Sequence, residues 1–135
     1  VIPPNEIKRF ITKAKINKDI SILTINPHMH KLGKSFWAYA ITHTGDTIPL
    51  IKIRKWDFNW QYFYTFRKMV KIPAGSAIIV EGVFDNTVQN KNNPFHPPRE
   101  VAERAGSMRA SDEMFQFIIT LMDYKNGDEL ISLEP

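Results

Sequence analysis

Between Trp56 and Phe66, aromatic residues occupy every second position: Trp56, Phe58, Trp60, Tyr62, Tyr64 and Phe66. Asp57, Asn59, Gln61 and Thr65 alternate with them, and only Phe63 breaks the period. A helix would scatter these rings around its circumference. An extended chain sends successive side chains to opposite faces, so the six rings would share one side. The run predicts a strand over 56–66 with its aromatic face turned into a core. The competing reading is an exposed stacking surface for sugars.

The rest of the chain has the same texture. Proline and glycine recur at short intervals, at Pro27, Gly33, Gly45, Pro49, Pro73, Gly75, Gly82, Gly106 and Gly127. Short runs rich in aromatic and β-branched residues lie between them, which is the strand signature. Further strands are expected at 20–25, 36–43, 47–53, 77–84 and 114–124. Ile72-Pro73-Ala74-Gly75 suits a type II turn, because proline fixes φ at the second position. No window keeps helical periodicity over three turns, and only Glu100 to Ala105 suggests a single helical turn. Many short strands separated by turns predict an all-β fold, an antiparallel β-sandwich, in one domain covering 1–135. Asn86 to Ser111 stands apart. It is long, polar and proline-bearing, and loops of that length are often functional.

Composition narrows the function. The chain has 135 residues and no cysteine, so thiolate metal sites, disulfides and cysteine nucleophiles are excluded. No apolar stretch approaches the ~18 residues of a membrane span. The net charge is +4. The densest basic run is Lys8, Arg9, Lys13, Lys15 and Lys18, and it reads as a solvated edge. No nucleic-acid-reading motif accompanies it. The chain opens on Val1, as expected of a processed protein or one domain of a longer chain.

Four histidines are available, and two form His28-Met29-His30. On an extended chain residues i and i+2 face the same way, so both imidazoles could reach one metal ion. The alternative is a polar pair at a strand end with Met29 packed inward. A third ligand must come from elsewhere, and Asp112-Glu113-Met114 is the strongest segment. A carboxylate from Asp112 or Glu113 would suit zinc or iron. A thioether from Met114 would favour copper, especially Cu(I). Met69, Met108 and Met122 compete with Met114, whose plain reading is core packing. His43 and His96 read as ordinary hydrogen-bonded or exposed residues, though His96 could cap a site from the long loop.

His28-Met29-His30-Lys31-Leu32-Gly33-Lys34 resembles the H-x-H-x-x-G motif of the copper type II, ascorbate-dependent monooxygenases. That family includes the peptidylglycine α-hydroxylating and dopamine β-monooxygenases, and the similarity is to their C-terminal domain. It continues through Ile72-Pro73-Ala74-Gly75, Val83-Phe84-Asp85-Asn86-Thr87, Asn90 to Val101 and Ser111-Asp112-Glu113-Met114. Related domains occur in multidomain bacterial proteins beside redoxin or cytochrome c modules, and a bacterial member is expected.

The resemblance implies a sandwich of jelly-roll type and one copper ion held by His28, His30 and Met114. It also implies an oxidoreductase role: O₂ activation and C–H hydroxylation, with ascorbate or another electron donor and a partner redox domain. The site's second shell would draw on Asn26, Gln116 or Asp112. An extracytoplasmic location, periplasmic or secreted, follows from the same resemblance. Two departures matter. Full family enzymes carry a second copper on three histidines, and His43 and His96 cannot build it. The peptide-amidating branch anchors its substrate with Arg, Asn and Tyr, where this chain has Asn26, Gln116 and Ile118. The small-molecule or peptide substrate therefore stays open. A non-catalytic copper-binding or electron-transfer module is the alternative, and a structural or glycan-binding β-sandwich the third.

Overall fold

A computed structural model describes residues 1–102 and 113–135. Among the described residues seven strands run in chain order: β1 (Ile7–Lys15), β2 (Ile20–Met29), β3 (Gly33–Ile41), β4 (Thr47–Ile53), β5 (Tyr64–Ile72), β6 (Ala77–Asp85) and β7 (Phe115–Asp123). They form a four-stranded sheet ordered β1-β6-β3-β4 and a three-stranded sheet ordered β5-β2-β7. Every pairing within them is antiparallel. The protein is therefore the all-β, antiparallel sandwich that the sequence predicts, and the arrangement is compatible with a jelly roll.

Alternation builds the core. On β3, Phe36, Ala38 and Ala40 point inward, and on β6 Ile78, Val80 and Phe84 do so. From the smaller sheet come Ile20, Ile22, Ile25 and Met29, with Phe115, Phe117 and Ile119 packed against them. Phe36 meets Phe115 and Phe117 at centroid distances of 5.8 Å, and Phe84 meets Phe115 at the same distance. Each fully buried ring contributes about 1.5–3 kcal/mol. Gly82 makes this packing feasible, since a Cβ there would lie 2.6 Å from the Phe115 ring.

The aromatic run corrects the prediction. Trp56 to Phe63 is not a strand. Asp57 accepts from the backbone N–H of Asn59 at 2.9 Å and caps a 3₁₀ turn, Phe58–Trp60, so that β5 starts only at Tyr64. Side chains of this kind compete with ladder bonds for the backbone. The rings accordingly divide: Trp56 is buried, whereas Tyr62 is half exposed and Phe63 more so. The β5–β6 turn also sits one residue later than expected. Ser76 N–H donates to the Pro73 carbonyl at 3.2 Å, and Gly75 takes the positive φ of 84°.

The basic run from Lys8 to Lys15 lies on β1, an edge strand, where lysines discourage pairing with another chain, and Lys18 follows it. The long loop is fastened over 86–102. Asn86, fully buried, donates to the carbonyls of Ile2, Pro3 and Arg99 at 2.8–3.2 Å and accepts from Asn93. Asn90 donates to the Lys31 carbonyl at 3.2 Å, which ties the loop to the chain just after the histidine pair. Met108, Asp112 and the end of the expected turn at Glu100 to Ala105 lie outside the described residues.

Candidate metal centre

The histidine pair forms where β2 ends. Ile25, Pro27 and Met29 point into the core, so Asn26 and His28 take the opposite face, with His30 following. Pro27 falls where β2 has β7 as its remaining neighbour, because the pairing with β5 ends at Ile25 and Tyr64. Gly33 explains the last position of the H-x-H-x-x-G pattern. A Cβ there would sit 2.7 Å from Trp56 Cδ1 and 3.0 Å from Met29 Cε. The glycine thus lets Trp56 and Met29 pack beneath the turn that carries His30.

The two imidazoles meet. Their Nε2 atoms lie 3.2 Å apart, and the rings are edge to face at 5.0 Å. At a metal–imidazole bond of about 2.0 Å, such a separation subtends about 105° at one shared ion. The pair therefore fits a single metal held by two nitrogens. His30 is buried, and Phe58 packs edge-on against it at 5.7 Å. Burial, then the neighbouring His30, lower the pKa of His28, while Gln61 acts in the opposite sense. A lowered pKa keeps the imidazole neutral, the form that ligates metal.

Glu113 plays a part other than the metal-ligating one expected of it. It is 4 % exposed, and its carboxylate accepts from the backbone N–H groups of His30, Leu32 and Met114. It holds the turn after His30 by its main chain, with both oxygens engaged. Burial raises its pKa to about 7, outweighing those three hydrogen bonds. Among the described residues no three His, Cys, Asp or Glu side chains cluster as a metal site. A site of histidines and carboxylates alone, as zinc or iron would favour, is therefore not assembled among them.

Met114 is placed by the backbone. β2 and β7 pair His28 with Gln116 and Met29 with Phe115, so Met114, the next residue, lies at the same end of the smaller sheet as His30. Met114 is partly buried and also borders a cavity of about 240 Å³, together with Phe10, Phe84 and Phe115. Its placement rests on this register, whereas the imidazoles are in direct contact. Asn26 and Gln116 lie on the expected side. Asn26 donates to the Tyr62 carbonyl at 2.8 Å rather than to an imidazole. His43 and His96 are exposed, on the β3–β4 turn and the long loop. The sequence reading missed Phe58, Gln61 and the clamping role of Glu113. The first two were hidden by the strand assigned to their segment.

These features define a class: an antiparallel β-sandwich that carries a paired-histidine site at one end of its smaller sheet. Residues 6–96 match the family model of the copper type II ascorbate-dependent monooxygenase, C-terminal domain. The chain belongs to that family. The match takes in His28 and His30 and ends before Met114. A search of curated proteins found no match. The family is copper- and ascorbate-dependent, and its members are secreted or lumenal. No helix among the described residues is long and apolar enough to cross a membrane.

Proposed function

We propose that His28, His30 and Met114 hold one copper ion, and that the domain serves a monooxygenase-type oxidation of a substrate C–H bond. The observation that carries this reading is the 3.2 Å approach of the two Nε2 atoms on one face of β2. Copper bound there supplies one-electron redox chemistry. Overall, R–H, O₂, two electrons and two protons give R–OH and water, with the electrons drawn from ascorbate or a similar donor. Two neutral imidazoles suit Cu(II) and a thioether suits Cu(I), so the mixed set supports cycling between them.

The chain's own groups prepare the site. Burial keeps His28 neutral. Phe58 shields one side of His30. Glu113 fixes the main chain of His30 and Met114 together, so two of the three donors share one clamp. The second histidine-rich copper site of full family enzymes needs three imidazoles, and only His43 and His96 remain. Electrons would reach this copper from a small reductant or through a further redox domain. The paired imidazoles would equally serve a second reading, a copper-binding electron-transfer module without oxygenation. A periplasmic or secreted setting accords with the family's habit.

The test is titration of metal-free protein with copper, then turnover with ascorbate and O₂. One tight equivalent that is lost in His28→Ala supports the site, and O₂ consumption coupled to substrate hydroxylation separates the enzyme from the electron-transfer module. Equal copper affinity in wild type and His28→Ala would refute the assignment.

A further inference from the structure

We infer that Gln61 is a positioning residue for His28, its side-chain oxygen accepting the Nδ1–H of that imidazole when Nε2 turns to a metal. The inference rests on the copper reading above and adds the group that sets the ring's tautomer.

Three observations support it. Gln61 Nε2 donates to the Phe58 carbonyl at 3.0 Å. This bond fixes which end of the amide is oxygen. The oxygen, Oε1, is buried and has no hydrogen-bond partner among the described residues. Buried acceptors are nearly always satisfied, so an orphaned one calls for an explanation. Gln61 also belongs to the wall of the site: Phe58, whose carbonyl it holds, packs against His30, and the next residue, Tyr62, accepts through its carbonyl from Asn26 on the same face of β2 as His28. Oε1 stays unpaired there.

The metal-free geometry explains why. With His28 and His30 facing Nε2 to Nε2 at 3.2 Å, a hydrogen bond between them needs a proton on one of those nitrogens. Metal ligation needs both Nε2 lone pairs bare, which moves the proton of each ring to Nδ1. His28 then needs an acceptor at Nδ1, and Gln61 Oε1 is the unpaired buried acceptor in this wall of the site. The Asp57-capped 3₁₀ turn that displaced the expected strand is what delivers Gln61 to this position.

The experiment compares wild type, Gln61→Leu and Gln61→Glu. Each is loaded with one equivalent of Cu(I), with affinity taken from competition against a chromogenic chelator. Histidine ¹⁵N NMR of the diamagnetic Cu(I) protein reads the tautomer of His28. The wild type is expected to show a slowly exchanging Nδ1–H on His28. Gln61→Leu should lose that protection and bind Cu(I) about 10- to 100-fold more weakly, the usual effect of removing such a partner. Gln61→Glu forfeits the bond to Phe58 but keeps an acceptor. It should recover affinity and lower the Cu(II)/Cu(I) reduction potential, since an anionic acceptor makes the imidazole more basic.

Wild-type affinity and unchanged Nδ1–H exchange in Gln61→Leu would overturn this inference alone. Failure of the wild type to bind copper would overturn the copper reading and this inference with it. If Gln61→Leu does not fold, Gln61→Glu decides, and an unshifted potential there counts against the proposal.

Discussion

Glu113→Gln in the metal-free protein tests the clamp beneath the site. Burial raises the carboxyl pKa from 4.5 to about 7. A raised pKa means that the folded state holds the proton more tightly than the unfolded state. The stability tied to that proton is full below pH 4.5 and is lost as pH rises through 7. At about 1.4 kcal/mol per pKa unit, the loss approaches about 3 kcal/mol. Glutamine does not titrate, but it keeps one acceptor oxygen and turns its amide NH₂ against a backbone donor that the second carboxyl oxygen serves. The variant should therefore be about 1–3 kcal/mol weaker than wild type at pH 4.5 and should gain about 3 kcal/mol on it by pH 8. Urea unfolding of both proteins at several pH values, with chelator present, measures this. Histidines and other carboxyls titrate in both proteins and cancel in the difference. A stability difference that stays constant from pH 4.5 to 8 would refute the reasoning.

Two other substitutions probe the packing that supports the site. Gly33→Ala drives a methyl into Trp56 and Met29, so it should cost about 1–3 kcal/mol and perturb tryptophan emission, and an unchanged melting temperature would count against it. Asn86→Ala strips the donor shared by three carbonyls of the N-terminus and long loop, and should cost about 2–3 kcal/mol in chemical denaturation, with proteolysis in the loop rising first.

The histidine pair was legible because strand geometry is local. Residues i and i+2 share a face, and His28 and His30 do meet. The sandwich was legible too, since most strands carry a period-two pattern over several residues. The aromatic run misled for a local reason of its own. Asp57 and Asn59 could be read either as a strand's polar face or as a cap and its turn, and alternation does not tell these apart. β1 was hidden because Ile7 and Ile11 point outward, leaving no clean apolar face. The role of Glu113 was beyond any local reading. It depends on residue 113 arriving beside residues 30–32, a contact set by the β2–β7 register. Gln61 is held against Phe58, at the wall of the site, only through the turn that the period-two pattern concealed.

The central claim is one copper on two imidazoles and a thioether. X-ray absorption of the Cu(I)-loaded protein, beside Met114→Ala, tests it most directly. The account predicts a shell of two nitrogen scatterers and one sulfur in the wild type, with the sulfur gone from the variant. A wild-type spectrum without sulfur, or a sulfur signal that survives Met114→Ala, would contradict it.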